Sequence, residues 1–167
     1  MLIRFSVENF LSFSDKQYFS LLPGKGTLKS EHKSKKVKGV SALKTAVLFG
    51  ANASGKSNLI KAIDFGKKLV LKGTKIDTKI DFQKFRLDSN LKDKNSRIEY
   101  EIQHSGKNYA YGFVFNNNEI TEEWLYEIGI KSDIKIFERN KDSKEVFDLD
   151  YLLKNNKKTE EKQDRKS

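Results

Sequence analysis

At 167 residues, with 37% hydrophobic and 34% charged side chains, the sequence has room for one domain and scarcely for two. It has no cysteine and only His32 and His104 as histidines, which rules out disulfides, thiolate zinc sites and a cysteine nucleophile and leaves too few histidines for a histidine-based metal centre. The net charge of +10 favours polyanionic partners such as nucleotides or nucleic acid, or else reflects a lysine-rich surface.

Ile3, Phe5 and Val7 alternate with Arg4, Ser6 and Glu8, the pattern of a half-buried strand. Arg4 and Glu8 within that stretch also argue against a signal peptide. A turn over Ser12 to Asp15 leads to a second strand, Gln17 to Leu22, closed by Pro23, Gly24 and Gly26. Lys25 to Lys38 is basic and poor in apolar residues. It reads as a mobile surface loop, solvated or able to neutralise DNA phosphates. Thr45 to Phe49 is a short apolar run ending at Gly50 and predicts a buried strand. Leu59, Ile60, Ala62, Ile63, Leu69 and Val70 then recur at spacings of three and four, predicting an amphipathic helix from about Ser57 to Val70 that stops near Gly73.

Period two returns at Ile98, Tyr100 and Ile102. His104-Ser105-Gly106-Lys107 is a hairpin turn, and Tyr109, Tyr111, Phe113 and Phe115 share the inner face of the next strand. Asn116 to Asn118 turn the chain again. Ile120, Trp124, Tyr126 and Ile128 share a face, and Ile134 with Ile136 marks another short strand, completing an antiparallel meander. From about Asp150 the chain is Lys, Asn and Glu with almost nothing apolar. The expectation is one lobe over residues 1–149 and a disordered or truncated helical tail over 150–167. No apolar run approaches the roughly 20 residues that cross a bilayer, so the chain is expected to have no membrane partner and to be cytoplasmic.

Gly50-Ala51-Asn52-Ala53-Ser54-Gly55-Lys56-Ser57 fits G-x-x-x-x-G-K-[ST], between a predicted strand and a predicted helix. Each residue type has a physical reason to be there. The glycines let the backbone curl so that N–H groups point at phosphate oxygens, and the helix dipole points at the same anions. Lys56 is expected to reach the β- and γ-phosphates of ATP, and the Ser57 hydroxyl to ligate Mg²⁺. Lys56 is thus the candidate catalytic residue, with residues 50–58, Asn58 included, as the nucleotide-binding set. Guanine selectivity is not expected, because Asn140-Lys141-Asp142-Ser143 places its aspartate one residue early for Asn-Lys-x-Asp. A small-molecule kinase would follow the loop with helices and parallel strands, whereas here hairpins follow.

Met1 to Phe13 (MLIRFSVENFLSF) and Leu48 to Asn58 (LFGANASGKSN) resemble the opening strand and phosphate loop of the RecF and structural-maintenance-of-chromosomes group. More narrowly, the sequence is similar to prokaryotic AAA/ABC-type ATPases related to the overcoming-lysogenization-defect and abortive-infection ATPases. The segments that carry this are Ala42 to Thr45, Phe85 to Asp88, Tyr109 to Phe113, Glu122 to Glu127 and Ile136 to Arg139. The resemblance implies an α/β, P-loop NTPase (ABC-type) N-terminal lobe with an antiparallel meander and an incomplete core. It implies a second lobe, bearing a Leu-Ser-Gly-Gly-like segment and an acidic strand, on a further part of the protein or a downstream-encoded subunit. It further implies a homodimer and a role in DNA transactions or phage defence. The expectation is a fragment, a truncated gene or one half of a split protein that binds ATP without turning it over alone. The alternative is a non-catalytic nucleotide-binding subunit or remnant that docks a protein or nucleic acid.

Where the group often carries Arg after Asn-Phe, this sequence has Leu11. Phe13 reads as core rather than as an adenine stack, and Gln83 as surface rather than as a sensor of the γ-phosphate. The aromatic run Tyr109 to Tyr126 reads as core packing rather than a base-stacking platform. Glu122 and Glu123, adjacent on a strand, point to opposite faces and cannot converge on one bond.

Overall fold

The computed structural model describes residues 1–25, 29–74, 78–143 and 147–149. The tail expected over 150–167 lies outside the described residues. Seven strands form one sheet: β1 (Leu2–Glu8), β2 (Gln17–Ser20), β3 (Ser96–His104), β4 (Lys107–Phe115), β5 (Ile120–Glu127), β6 (Ile134–Asn140) and β7 (Phe147–Asp148). Their spatial order is β2-β1-β3-β4-β5-β6-β7. Every pairing in this sheet is antiparallel. The meander expected from the alternating patterns is therefore present. The parallel pairing implied by an α/β class does not occur among the described residues.

One helix, α1 (Lys56–Lys72), packs on the sheet. It starts one residue before the expected position and runs two residues further, to a C-cap at Gly73 with φ +67. Register explains which sheet face it covers. Phe5 sits opposite Tyr100, Val7 opposite Ile98, Ile98 opposite Phe113, Tyr100 opposite Tyr111 and Ser96 opposite Phe115. These side chains project to one side, where Phe5, Val7, Ile98, Phe113 and Phe115 are buried with Ala62 of the helix. Leu59, Ile63, Phe65 and Leu69 pack around them. A fully buried side chain of this size contributes about 2–3 kcal/mol through area removed from water. The helix comes close over β3. A Cβ on Gly66 would lie 2.2 Å from the Tyr100 hydroxyl, and that hydroxyl donates to the Ile63 carbonyl at 2.8 Å.

On the opposite face the Arg97 guanidinium lies 4.2 Å from the centre of the Trp124 ring, and the ring lies against Gly112, where a Cβ would meet it at 2.2 Å. Arg4 pairs with Glu101 on that side. The aromatic run is thus split. Tyr111, Phe113 and Phe115 face the core as expected, but Trp124 and Tyr126 face away while Ile120 packs on the core, so the core packing expected of the whole run and the face expected to join Ile120 with Trp124 and Tyr126 do not hold; the register of β4 and β5 shifts between Val114 and Phe115. Glu123 takes the core face, accepting from the Tyr111 hydroxyl at 2.6 Å, and Glu122 the other, as strand geometry requires.

Two further expectations fail. The expected mobile loop does not extend over residues 29–38, which belong to a folded arm, residues 29–44. Bridges join Lys33 to Leu43 and Val37 to Val40. The arm is tied to the sheet by Leu43 N–H to the Leu21 carbonyl (2.7 Å), Asn108 Nδ2 to the Val37 carbonyl (3.0 Å) and Lys38 Nζ to Glu127 (2.6 Å). Thr45 to Phe49 is neither a strand nor buried. Val47 is 68% exposed and Phe49 90%, and the segment pairs with no strand among the described residues. The apolar pattern records what the run needs to pack against, and no such neighbour lies among the described residues.

Candidate functional site

Between the exposed run and α1, the backbone turns sharply. Ala53 sits at φ +61 and Gly55 at φ +89, both left-handed, and Gly55 is the residue that caps the helix N-terminus. Glycine adopts that conformation freely, whereas alanine at 53 pays about 1–2 kcal/mol for it. The loop so formed encloses a cavity of about 350 Å³ lined by Asn52 through Asn58.

The polar groups around this cavity are mostly main-chain donors. Among the described residues the N–H groups of Asn52, Ala53, Gly55, Lys56, Ser57 and Asn58 have no acceptor. Those of Lys56, Ser57 and Asn58 are the orphan donors that every helix leaves at its start, and no side chain caps them. Ser54 N–H alone turns inward, onto the Ala51 carbonyl at 3.3 Å. The single cation of the loop, Lys56, folds over it. Its Nζ donates to the carbonyls of Gly50 and Ala51, each at 2.6 Å, and lies 3.3 Å from Ser54 Oγ. The Ser57 hydroxyl is exposed on the first helical turn. No carboxylate lines the cavity. Such an arrangement can do one thing well: hold an oxyanion against unpaired amides and a nearby ammonium.

Every residue of the sequence-derived set, Gly50 to Asn58, falls on this loop or on the first turn of α1. Gly50 and Ala51 contribute through their carbonyls, and residues 52–58 line the cavity. Phe13 packs against the hydrophobic core. The side chain of Gln83 is exposed, and its main-chain carbonyl accepts from Leu11 N–H at 2.9 Å.

Sequence reasoning missed Asn9. It is 1% exposed, has φ +48, and ties the first turn to the segment after the helix. Its Nδ2 donates to the carbonyls of Leu91 (3.0 Å) and Lys94 (2.9 Å), its Oδ1 accepts from Phe85 N–H (3.3 Å), and its own carbonyl accepts from Ser96 Oγ (2.6 Å). The preference of asparagine for the left-handed region was the available signal. Through this hub the turn at Leu11 and Ser12 is pressed against the loop, with Ser12 Oγ 3.2 Å from where a Cβ on Gly55 would sit.

A model of the family described as "AAA domain, putative AbiEii toxin, Type IV TA system" matches residues 46–167, from just before the loop to the last residue. No curated protein matches the chain.

Proposed function

The chain belongs to this AAA-domain family, which carries a nucleotide-binding, ATPase-like role, and on that premise we propose that it binds ATP with Mg²⁺ at residues 50–58 as a P-loop NTPase lobe of the ABC type. The observation that carries the reading is the set of unpaired main-chain N–H groups between Asn52 and Asn58, Ser54 excepted, at the start of α1, with Lys56 beside them. Those donors, together with the positive end of the helix dipole, suit phosphate oxygens. Lys56 is the residue we assign to the outer phosphates, exchanging its contacts with the Gly50 and Ala51 carbonyls for phosphate oxygens. The exposed Ser57 hydroxyl fits as a ligand for Mg²⁺, which when bound neutralises charge on the outer phosphates.

Hydrolysis needs a group to position the attacking water, and the described loop offers none, since no carboxylate lines it. The proposal is therefore that this chain binds ATP and turns it over only when a further lobe or partner supplies that group. The exposed Val47 and Phe49 support the same reading, because an apolar run left open to water suits cover by further structure. On the resemblance of its motifs we place the complete assembly, a nucleotide-joined homodimer, in DNA-linked or phage-defence processes in the cytoplasm.

Isothermal titration with ATP and Mg²⁺ tests the site. The expected result is saturable binding that Lys56→Ala weakens by about a hundredfold or more, the loss of a charge-assisted contact in a preformed site. Equal affinity in the two proteins would remove the assignment. Steady-state turnover by the chain alone, lost in Lys56→Ala, would overturn the need for a partner.

A further inference from the structure

A second cavity, of about 400 Å³, adjoins the loop and shares Asn58 with it. Its walls are Leu11, Ser12, Asn58 and Lys61 on one side and Gln83 to Leu87 on the other. Three of the lining side chains are cations, Lys61, Lys84 and Arg86, and none is a carboxylate. Lys84 donates to the Lys92 carbonyl at 2.9 Å, while Lys61 and Arg86 have no partner among the described residues.

Three unopposed cations around one hollow repel each other unless an anion lies between them. Their placement is built rather than incidental. Lys61 follows Ser57 by four positions and Asn58 by three, so it sits on their face of α1, and helical side chains lean toward the preceding turn. Lys84 and Arg86, which follow the helix in the chain, are held there by two hydrogen bonds, Leu11 N–H to the Gln83 carbonyl at 2.9 Å and Phe85 N–H to Asn9 Oδ1 at 3.3 Å.

We propose that Lys61, Lys84 and Arg86 form an annex to the loop that binds a phosphate group of the same nucleotide. The inference rests on ATP binding at residues 50–58. The annex brings its charge from helix and post-helix segments to the turn where position 11 is an uncharged leucine. A phosphate chain anchored on the loop amides is the anion nearest to hand, since the two hollows meet at Asn58. The phosphodiesters of a nucleic-acid strand carry the same chemistry and are distinguished by the test.

The experiment compares the unmutated chain with the double variant Lys61→Gln/Arg86→Gln. A charge-matched control, Lys67→Gln/Lys72→Gln, removes two exposed lysines from the other end of α1. Titrations are made with ATP, ADP and AMP, each with Mg²⁺, and with a single-stranded oligonucleotide. The annex predicts that the double variant weakens ATP by at least about tenfold, the worth of one charge-assisted contact. It also predicts a shallower salt dependence, with the control within about twofold of the unmutated chain. The nucleotide at which the loss first appears assigns the phosphate. Equal losses in double variant and control, or no loss in either, would refute the annex. So would unchanged ATP affinity with weakened oligonucleotide binding, which would hand the hollow to nucleic acid. If ATP binding is lost in Lys56→Ala but intact in the double variant, only the annex falls. If the unmutated chain binds no ATP, both readings fall together.

Discussion

Asn9 is the residue whose replacement separates side-chain from backbone effects most cleanly. In Asn9→Ala the carbonyls of Leu91 and Lys94 lose their donor, and Phe85 N–H loses an acceptor. The two shorter bonds are worth about 1 kcal/mol each, and the part-buried Phe85 N–H left without its acceptor costs about as much again. Alanine must also hold φ +48, which asparagine tolerates, for about a further 1 kcal/mol. The sum is a destabilisation of about 3–4 kcal/mol. Asn9→Gly loses the same hydrogen bonds but relieves the backbone, so it should fall about 1 kcal/mol short of the alanine variant. Asn9→Asp keeps an acceptor for Phe85 N–H and sets a carboxylate against two carbonyl oxygens, so it should be at least as damaging as alanine. Urea denaturation followed by far-UV circular dichroism gives all three values, provided the slope with denaturant is unchanged. A loss below about 1 kcal/mol in Asn9→Ala would show that the hub does not hold the turn to the segment after the helix. Equal losses for Gly and Ala would remove the backbone part of the argument.

Other expectations concern the rest of the molecule. Ala53→Gly should stabilise the chain by up to about 1 kcal/mol by relieving the left-handed alanine, less the entropy glycine adds to the unfolded chain. Thermal melts check this, and a lowered midpoint would contradict the loop geometry. Gly112→Ala should destabilise by about 1–3 kcal/mol, because the Trp124 ring lies where the new methyl must go. An unchanged melt together with unchanged tryptophan fluorescence would count against that packing. Buried Glu127 is held below the ordinary carboxylate range by hydrogen bonds from Lys107 and Lys38, which outweigh its desolvation. A lowered folded pKa means its contribution is complete above the unfolded value and lost as pH falls through the folded one, so stability should drop below about pH 4. Glu127→Gln should flatten that acid limb, and an identical pH profile in the variant would refute the assignment.

The parts legible from sequence were those with local periodicity. The period-two runs of β1, β3 and β4 and the three-and-four spacing of α1 declared both element type and buried face, because each element buries a side of itself, whereas in β5 the pattern declared a strand but set Trp124 and Tyr126 on the wrong face. The loop was legible for a different reason: left-handed turns and an amide-lined helix start need particular residues at fixed spacing. The run from Thr45 to Phe49 was misread because an apolar pattern states a demand for burial and not whether it is met. The basic hollow was illegible because Lys61, Lys84 and Arg86 are each ordinary surface residues. Only the meeting of Leu11 with Gln83, across most of the helix-forming segment, makes them neighbours.

That unmet demand bears on how the isolated chain behaves in a tube. Val47, Leu48 and Phe49 offer water a sticky apolar ribbon of the kind that invites association between molecules. What opposes such clumping is the mutual repulsion of chains that each carry a charge of +10. Added salt weakens this repulsion while leaving the ribbon untouched, so dilute, low-salt buffer is the condition in which the protein stays dispersed.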